Sequence, residues 1–376
     1  MNLSFWEVQS WLRKVNFTIV GSGIVGLSCA LKLKEKFPKA NILVLERGML
    51  PQGASTKNAG FACFGSLSEI LDDLETHSET AAVNLITKRL KGLDALRQNV
   101  PDSVMHFQQL GGYEVFTNDT EPLYNKCLSQ IDTINNLLFP LFKKPVFTLK
   151  TNTFGFKNTV NNLIFNPFEG QIDTGRMMAA LLKKAQIAGI NILNNVPVNG
   201  FTELADGVAV HTENFTFNTN KLFIATNGFA SELLNEAVKP ARAQVLITKP
   251  IPNLAISGTF HLDRGFYYFR NVQNRILLGG GRNLDFDAEE TTEMGVSSII
   301  QSKLEELLHT IILPNTPFEI AQRWSGIMGV GSGTAAGLKE PCVKQVSNHV
   351  FCGVRLGGMG VAIGSTVGQE LAELLQ

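Results

Sequence analysis

The sequence has 376 residues, 44% of them hydrophobic and 18% charged, enough for about two domains with substantial cores. Lys+Arg and Asp+Glu each number 33, so neither a nucleic-acid partner nor a charged tail is indicated. Cys29, Cys63, Cys127, Cys342 and Cys352 contain no C-x-x-C pair, and no apolar run approaches the roughly 18 residues of a membrane span; neither a disulfide framework nor a zinc motif is indicated, and a cytoplasmic protein is expected.

At the N-terminus, Leu3, Trp6, Val8 and Trp11 read as an arm or short helix packing on the body, with a peripheral membrane contact through the two tryptophans as the alternative. Glu7 comes too early and Arg13 too late for a secretion signal. The stretch from Asn16 to Glu46 organises the rest of the chain. Phe17-Thr18-Ile19-Val20 is a strand, Gly21-Ser22-Gly23-Ile24-Val25-Gly26 a glycine turn, and the apolar spacing from Val25 to Leu33 a helix. Ile42 to Leu45 is a second strand, closed by Glu46. Gly21 suits the tight turn, Gly23 the approach of a pyrophosphate, and Gly26 close packing of helix on strand. The helix N-terminus offers free N–H groups and partial positive charge to phosphate. Glu46 stands about 20 positions beyond Gly26, the spacing of a ribose-binding acid. The bland alternative is an ordinary strand–helix–strand unit.

Arg47-Gly48 leads to a small polar stretch, Gly53-Ala54-Ser55-Thr56-Lys57-Asn58-Ala59-Gly60-Phe61, read either as backbone close to an extended ligand or as a surface loop. Ser68 to Leu96 reads as helix, with His77 solvated. Leu123 to Phe139 reads as a helix stopped by Pro140. Asp173 or Thr174 caps a helix that Gly189 ends. Ile190 to Leu193 and Val196-Pro197-Val198 start strands. Gly207 to His211 and Phe215 to Asn220 form a small meander, with His211 as an ordinary strand residue. Leu222 to Ala225 is a buried strand ending in Thr226-Asn227-Gly228, where a parallel sheet can meet a nucleotide again. From Lys239 long alternating strands suggest a mixed sheet, including Gly265 to Arg270 and Arg275 to Gly280. Ser297 to Ile312 is a helix, and Gln322 to Gly329 leads into a glycine-rich loop. His349 to Gly353 is a strand, Arg355 to Gly360 a glycine loop, and Val361 to Leu375 a helix, repeating the opening theme.

In this order these stretches resemble the D-amino-acid oxidase family of FAD-dependent oxidoreductases, near its glycine-oxidase, sarcosine-oxidase and D-amino-acid-dehydrogenase branches. The likeness rests on Gly21-x-Gly23-x-x-Gly26 with Glu46, Gly53 to Gly60, Ile172-Asp173 before a helix, and Ile224 to Gly228. It continues through Tyr267-Tyr268, Leu278 to Arg282, Arg323-Trp324-Ser325-Gly326 and Gly357-Gly358-Met359-Gly360-Val361. The resemblance implies an α/β fold: a Rossmann-like FAD domain of the p-hydroxybenzoate-hydroxylase type, carrying an inserted mixed-sheet α+β substrate domain. The FAD domain is expected at 1–89, 151–234 and 335–376, and the substrate domain at 90–150 and 235–334.

By the same resemblance, Ile24, Val25, Glu46 and Arg47 contact the ADP part. Ala54, Ser55, Ala59, Gly60 and Phe61 line the pyrophosphate, ribityl chain and ring. Val198 meets the adenine side, Ala225, Thr226 and Gly228 border the nucleotide, and Leu356, Gly357, Gly358, Met359, Gly360 and Val361 lie beneath the isoalloxazine. The implied chemistry is hydride transfer from the C–H next to an amine onto flavin N5, with the helix from Val361 stabilising charge near N1 and C2. A small amine or amino acid is the expected substrate, and O2 or another acceptor takes the electrons. Oxidation of a 2-hydroxy acid and a non-catalytic nucleotide-binding module are the alternatives.

The sequence departs from the family pattern at the substrate. Met328 follows Trp324-Ser325-Gly326-Ile327 where amino-acid-oxidising relatives carry a carboxylate-gripping arginine, and Gly358 stands where glycine oxidase has another. Arg270, Arg282, Arg323 and Arg355 are substitutes or structural residues. Leu277 replaces the lysine that assists oxygen reaction in sarcosine oxidase. No cysteine lies between Cys127 and Cys342, so a non-covalent flavin is expected. Tyr267 and Tyr268 alternate, so at most one of them faces the substrate.

Overall fold

The computed structural model describes residues 3–331 and 340–375. A short capped helix, α1 (Phe5–Glu7), and a π-turn at Val8–Leu12 lead into β1 (Val15–Val20), α2 (Ile24–Lys36) and β2 (Ile42–Leu45). Next come α3 (Ala54–Lys57), β3 (Phe61–Ala62), α4 (Leu67–Thr76), α5 (Glu79–Asn99), α6 (Asp102–Met105), β4 (Gly112–Val115) and α7 (Glu121–Phe142). Then follow β5 (Thr148–Thr151), β6 (Asn162–Asn166), β7 (Gly170–Gln171), α8 (Thr174–Ile187), β8 (Asn191–Leu193), β9 (Val198–Leu204), β10 (Gly207–Thr212) and β11 (Thr216–Ile224). The chain finishes with β12 (Val238–Thr248), β13 (Thr259–Leu262), β14 (Tyr267–Val272), β15 (Arg275–Gly280), α9 (Ser298–Leu307), β16 (Ile320–Gly331), β17 (Cys342–Gln345), β18 (Val350–Val354) and α10 (Gly360–Glu373).

Two eight-stranded sheets carry the fold. The first runs β17-β18-β11-β1-β2-β8, with β10 and β9 continuing antiparallel from β11. Its centre is parallel: β1 lies between β11 and β2. Ile19, Ile42 and Val44 are fully buried there, as expected of strands covered on both faces. The second sheet runs β16-β12-β15-β14-β13-β4-β6-β5. Its core holds a stack of Phe260 on Phe269 with ring centroids 4.5 Å apart. A two-stranded ribbon, β3 with β7, lies apart from both.

The two ends of the chain meet. α10 packs on α2, and small residues let the backbones approach: a Cβ on Gly368 would lie 2.4 Å from the Val25 carbonyl oxygen, and one on Gly364 2.9 Å from Ile24 Cγ2. Ser28 and Ser365 hydroxyls are 3.4 Å apart across the same seam.

Several expectations change. The N-terminal segment does not pack through its tryptophans: Trp6 is 74% exposed, and Leu12 alone of residues 5–12 is buried. The Ser4–Glu7 capping box holds α1 locally, and so short a helix needs no apolar face on the body. The helix expected over 68–96 is two, because Ser78 accepts from the Ala81 amide and caps a new start. α7 continues past Pro140 to Phe142 and ends at left-handed Lys143. The carbonyl that Pro140 leaves without its helical donor belongs to Asn136, which is exposed to solvent. The meander strand and the buried strand are one element, β11, which pairs antiparallel with β10 and parallel with β1.

The sheets also divide the chain at other points than 89/90 and 150/151. Leu96, Val100 and Met105 join the core of α2, α8 and α10, whereas Asn162–Asn166 belongs to the second sheet. The 334/335 boundary and most of the glycine-rich loop beyond Gly329 lie outside the described residues.

Candidate active site

The crevice at the carboxyl end of β1 is built from backbone. Gly21 has φ +104°, and a Cβ on it would sit 2.8 Å from the Ala225 carbonyl oxygen. Gly26 permits no side chain at all: its Cβ would lie 1.9 Å from the Gly21 oxygen. α2 starts at Gly23 without a side-chain cap from that residue, and Ser55 reaches across to accept from the Ile24 amide at 3.0 Å. Glu46 is buried and accepts from the Ser22 amide and hydroxyl at 3.1 and 2.8 Å and from the Gly48 amide at 3.1 Å. The acid after β2 is thus held against the glycine turn.

Thr226 places its hydroxyl in this crevice's wall, buried and without a hydrogen-bond partner. An orphaned buried hydroxyl is costly unless a ligand meets it. Asn227, at φ +47°, uses its side-chain oxygen to accept from the Arg355 and Leu356 amides at 3.0 and 3.2 Å, and so fixes the last glycine loop. A Cβ on Gly357 or Gly358 would meet nothing within 4 Å. α10 then starts at Gly360 with no side-chain cap from Met359. Two helix starts whose N-cap residues give no side-chain cap, an unpartnered hydroxyl, a buried acid and open space over the loop glycines match the donor set and shape that a dinucleotide requires.

Three of the expected residues also make contacts of their own. Gly228 is a packing glycine, since its Cβ would lie 2.4 Å from the Met328 carbonyl oxygen. The Arg47 guanidinium lies over the Phe229 ring at 3.6 Å and is 3.7 Å from Glu232. Val198 is a half-buried residue opposite Thr212 at the edge of the meander.

The second sheet turns one face to this region. Glu114, His261, Tyr268, Gly279, Val245 and Trp324 are successive register partners across β4, β13, β14, β15, β12 and β16, so they share that face. Phe61 stands against it, edge-on to His261 at 5.4 Å and Tyr268 at 5.6 Å. Trp324 Nε1 donates to the Lys57 carbonyl at 2.9 Å. Ala59, Leu277, Val245 and Ile247 fill the space between. The Tyr268 hydroxyl makes no hydrogen bond to the described residues, and burial raises it to about 12, so it is a neutral donor at ordinary pH. Tyr267 points the other way, into the core of Phe260 and Phe269.

The arginines offered as substrate clamps are engaged elsewhere. Arg323 faces α9, donating to Gln301 at 2.7 Å and Glu305 at 2.8 Å, because it precedes Trp324 and alternation sends it to the opposite face. Arg270 is buried, donates to the Ala59 and Ile172 carbonyls, and is lowered to about 10 by desolvation. It braces the bend at Gly60, whose φ is +76°. The Arg282 guanidinium lies over Phe286, and Arg355 donates to the Glu340 carbonyl. Met328 shares the Trp324 face by alternation and is half-buried.

Sequence reasoning missed a buried polar cluster behind Phe61. His261 Nε2 is 2.9 Å from Glu169 Oε2, which also accepts from Thr259 Oγ1 at 2.8 Å. Burial opposes a charge on His261, but Glu169, then Glu69 and Glu114, outweigh it and raise the imidazole to about 9. Burial lifts Glu114 to about 7 against hydrogen bonds from Ser68. The one available signal was a histidine inside the buried run Thr259 to Leu262.

A parallel sheet with a glycine-lined crevice, closed by the chain's last loop and faced by a second sheet, defines a dinucleotide-dependent two-sheet enzyme. Residues 16–374 match the DAO family, described as FAD dependent oxidoreductase, and the chain belongs to it. It is an FAD-dependent oxidoreductase. Among curated relatives, it is 20% identical to a probable oxidoreductase OrdL of Haemophilus influenzae over 97% of this chain and 83% of that one. It is 27% identical to the bifunctional protein ThiO/ThiG of Synechocystis over 61% of its own length but spans only 32% of that protein. Its fold is similar to L-proline dehydrogenase from P. horikoshii, with TM-score 0.75, 17% identity and coverage of 96% and 93%. It is also similar to glycine oxidase from Geobacillus kaustophilus, with TM-score 0.73, 18% identity and coverage of 96% and 94%. Among the described residues no helix is long and apolar enough to cross a membrane.

Proposed function

We propose that the protein oxidises a small primary or secondary amine, amino acids included, at the C–H bond next to nitrogen. The similar structures of glycine oxidase, L-proline dehydrogenase and iminodiacetate oxidase belong to enzymes that by name act on such groups. The chemistry the cofactor supplies is acceptance of a hydride at N5, leaving an imine that hydrolyses in water. The FAD is held non-covalently: the α2 N-terminus and Ser55 meet the pyrophosphate, Glu46 the ribose, and the loop 356–361 with the α10 N-terminus the ring. Phe61, Tyr268, Trp324 and Leu277 exclude water and orient the substrate against the ring.

The observation that carries the substrate class is the face shared by Tyr268 and Trp324. It offers a neutral hydroxyl and aromatic surface, while Arg270 and Arg323 are committed to other partners. Recognition therefore rests on the amine and its apolar substituent more than on a carboxylate. With Leu277 on the same apolar cluster, the electrons pass to O2 slowly or to another acceptor in the cytoplasm.

The test is anaerobic mixing of the yellow holoprotein with amines, N-methyl amines, amino acids and 2-hydroxy acids. Loss of visible flavin absorption with amines is expected; bleaching by hydroxy acids alone, or by nothing, overturns the reading. Tyr268→Phe should change turnover and Tyr267→Phe should not, and equal effects would contradict the assignment of faces.

A further inference from the structure

We propose that Cys63, Glu169 and His261 form a buried site for one divalent cation of the zinc class. Their donor atoms, a thiol sulfur, a carboxylate oxygen and an imidazole nitrogen, all lie within 4.8 Å of one another, and all three residues are buried. Ligands on a tetrahedral zinc at about 2.0–2.3 Å stand roughly 3.5 Å apart. The cluster therefore has to contract by about an ångström at its widest, while the 2.9 Å His261–Glu169 contact opens slightly.

Two further observations point the same way. A cavity of about 10 Å³ borders two of the three, Glu169 and His261, and its wall also includes Ser66, Glu114 and Asn166. That is the size of one water, the fourth ligand such a site takes. Carboxylates also crowd the imidazole: Glu69 Oε2 is 3.9 Å from His261 Nδ1, and Glu114 is its register partner on β4. Such surroundings favour a dication, and Thr259 orients the Glu169 carboxylate from outside the ligand shell. Because the Phe61 ring leans edge-on against His261, a bound cation stiffens the wall that faces the flavin. The site stands on its own residues and does not depend on which amine is the substrate.

Holoprotein is stripped with chelator, dialysed against zinc, and assayed for metal by mass spectrometry. One zinc per chain is expected, with affinity lowered about tenfold or more in Cys63→Ser and His261→Gln and unchanged in Cys342→Ser. Failure to retain zinc, or equal retention by Cys63→Ser, overturns the proposal. If the variants do not fold, X-ray absorption at the zinc edge of the wild-type protein decides: one sulfur among nitrogen and oxygen ligands supports the site, and a shell without sulfur rejects it.

Discussion

The two sheets solve their tasks by different means. The first makes its crevice from backbone: Gly21, Gly23 and Gly26 clear space, and amides of α2 and α10 line it. The second makes its face from side chains that arrive from six strands, and its buried charged groups are held by other side chains and by backbone carbonyls. Backbone sites are tolerant of side-chain chemistry but intolerant of a Cβ; side-chain sites have the reverse sensitivity.

The sharpest way to break this contrast is a methyl group. Gly26→Ala places a Cβ 1.9 Å from the Gly21 oxygen and should cost about 3 kcal/mol or more, read from denaturant unfolding of the flavin-free protein. Gly358→Ala, with nothing within 4 Å, should leave that unfolding nearly unchanged. Equal unfolding losses would erase the distinction between packing glycines and ligand-facing ones.

Next in size is Arg270→Met. It leaves the buried Ala59 and Ile172 carbonyls without donors, and a loss of about 2–4 kcal/mol is expected in the same assay. An unchanged protein would mean that Arg270 is free to bind substrate.

The charged cluster predicts a pH dependence of the chelator-treated, metal-free protein. His261 is raised from 6.5 to about 9, so its contribution is complete below about 6.5 and lost as pH rises through 9. Glu114, raised from 4.5 to about 7, likewise favours the folded state at lower pH, and its contribution is lost as pH rises through 7. The wild-type melting temperature should fall from pH 6.5 to 9, and His261→Gln should flatten the upper half of that fall. A melting temperature that climbs over this range would refute the buried imidazolium.

The smallest effect belongs to Arg323→Ala. Its ion-pair partner Glu305 is partly exposed and buried Gln301 keeps its hydrogen bond to Gln244, so about 1 kcal/mol is lost and KM should not move. A large KM change would return Arg323 to the substrate side.

The opening unit was legible because its signal is local. Strand, glycine turn, helix and Glu46 follow one another within a short span, and each glycine's role is steric. The closing loop and α10 were legible for the same reason. The interruption at Ser78 was harder, because a serine reads as a helix residue or a cap with equal ease until its neighbours are placed. Pro140 misled because a helix can lose a single carbonyl to water in its final turns.

The order of motifs along the chain therefore determined the family, the cofactor and the glycine turns at the two ends of the chain, since backbone geometry depends on neighbours in sequence. Tertiary structure alone decided which tyrosine faces Phe61, that Arg323 and Arg270 are committed elsewhere, and that Cys63 lies beside His261 and Glu169. Those facts depend on strand register and on contacts between segments a hundred residues apart, and a one-residue slip in register would reverse every face.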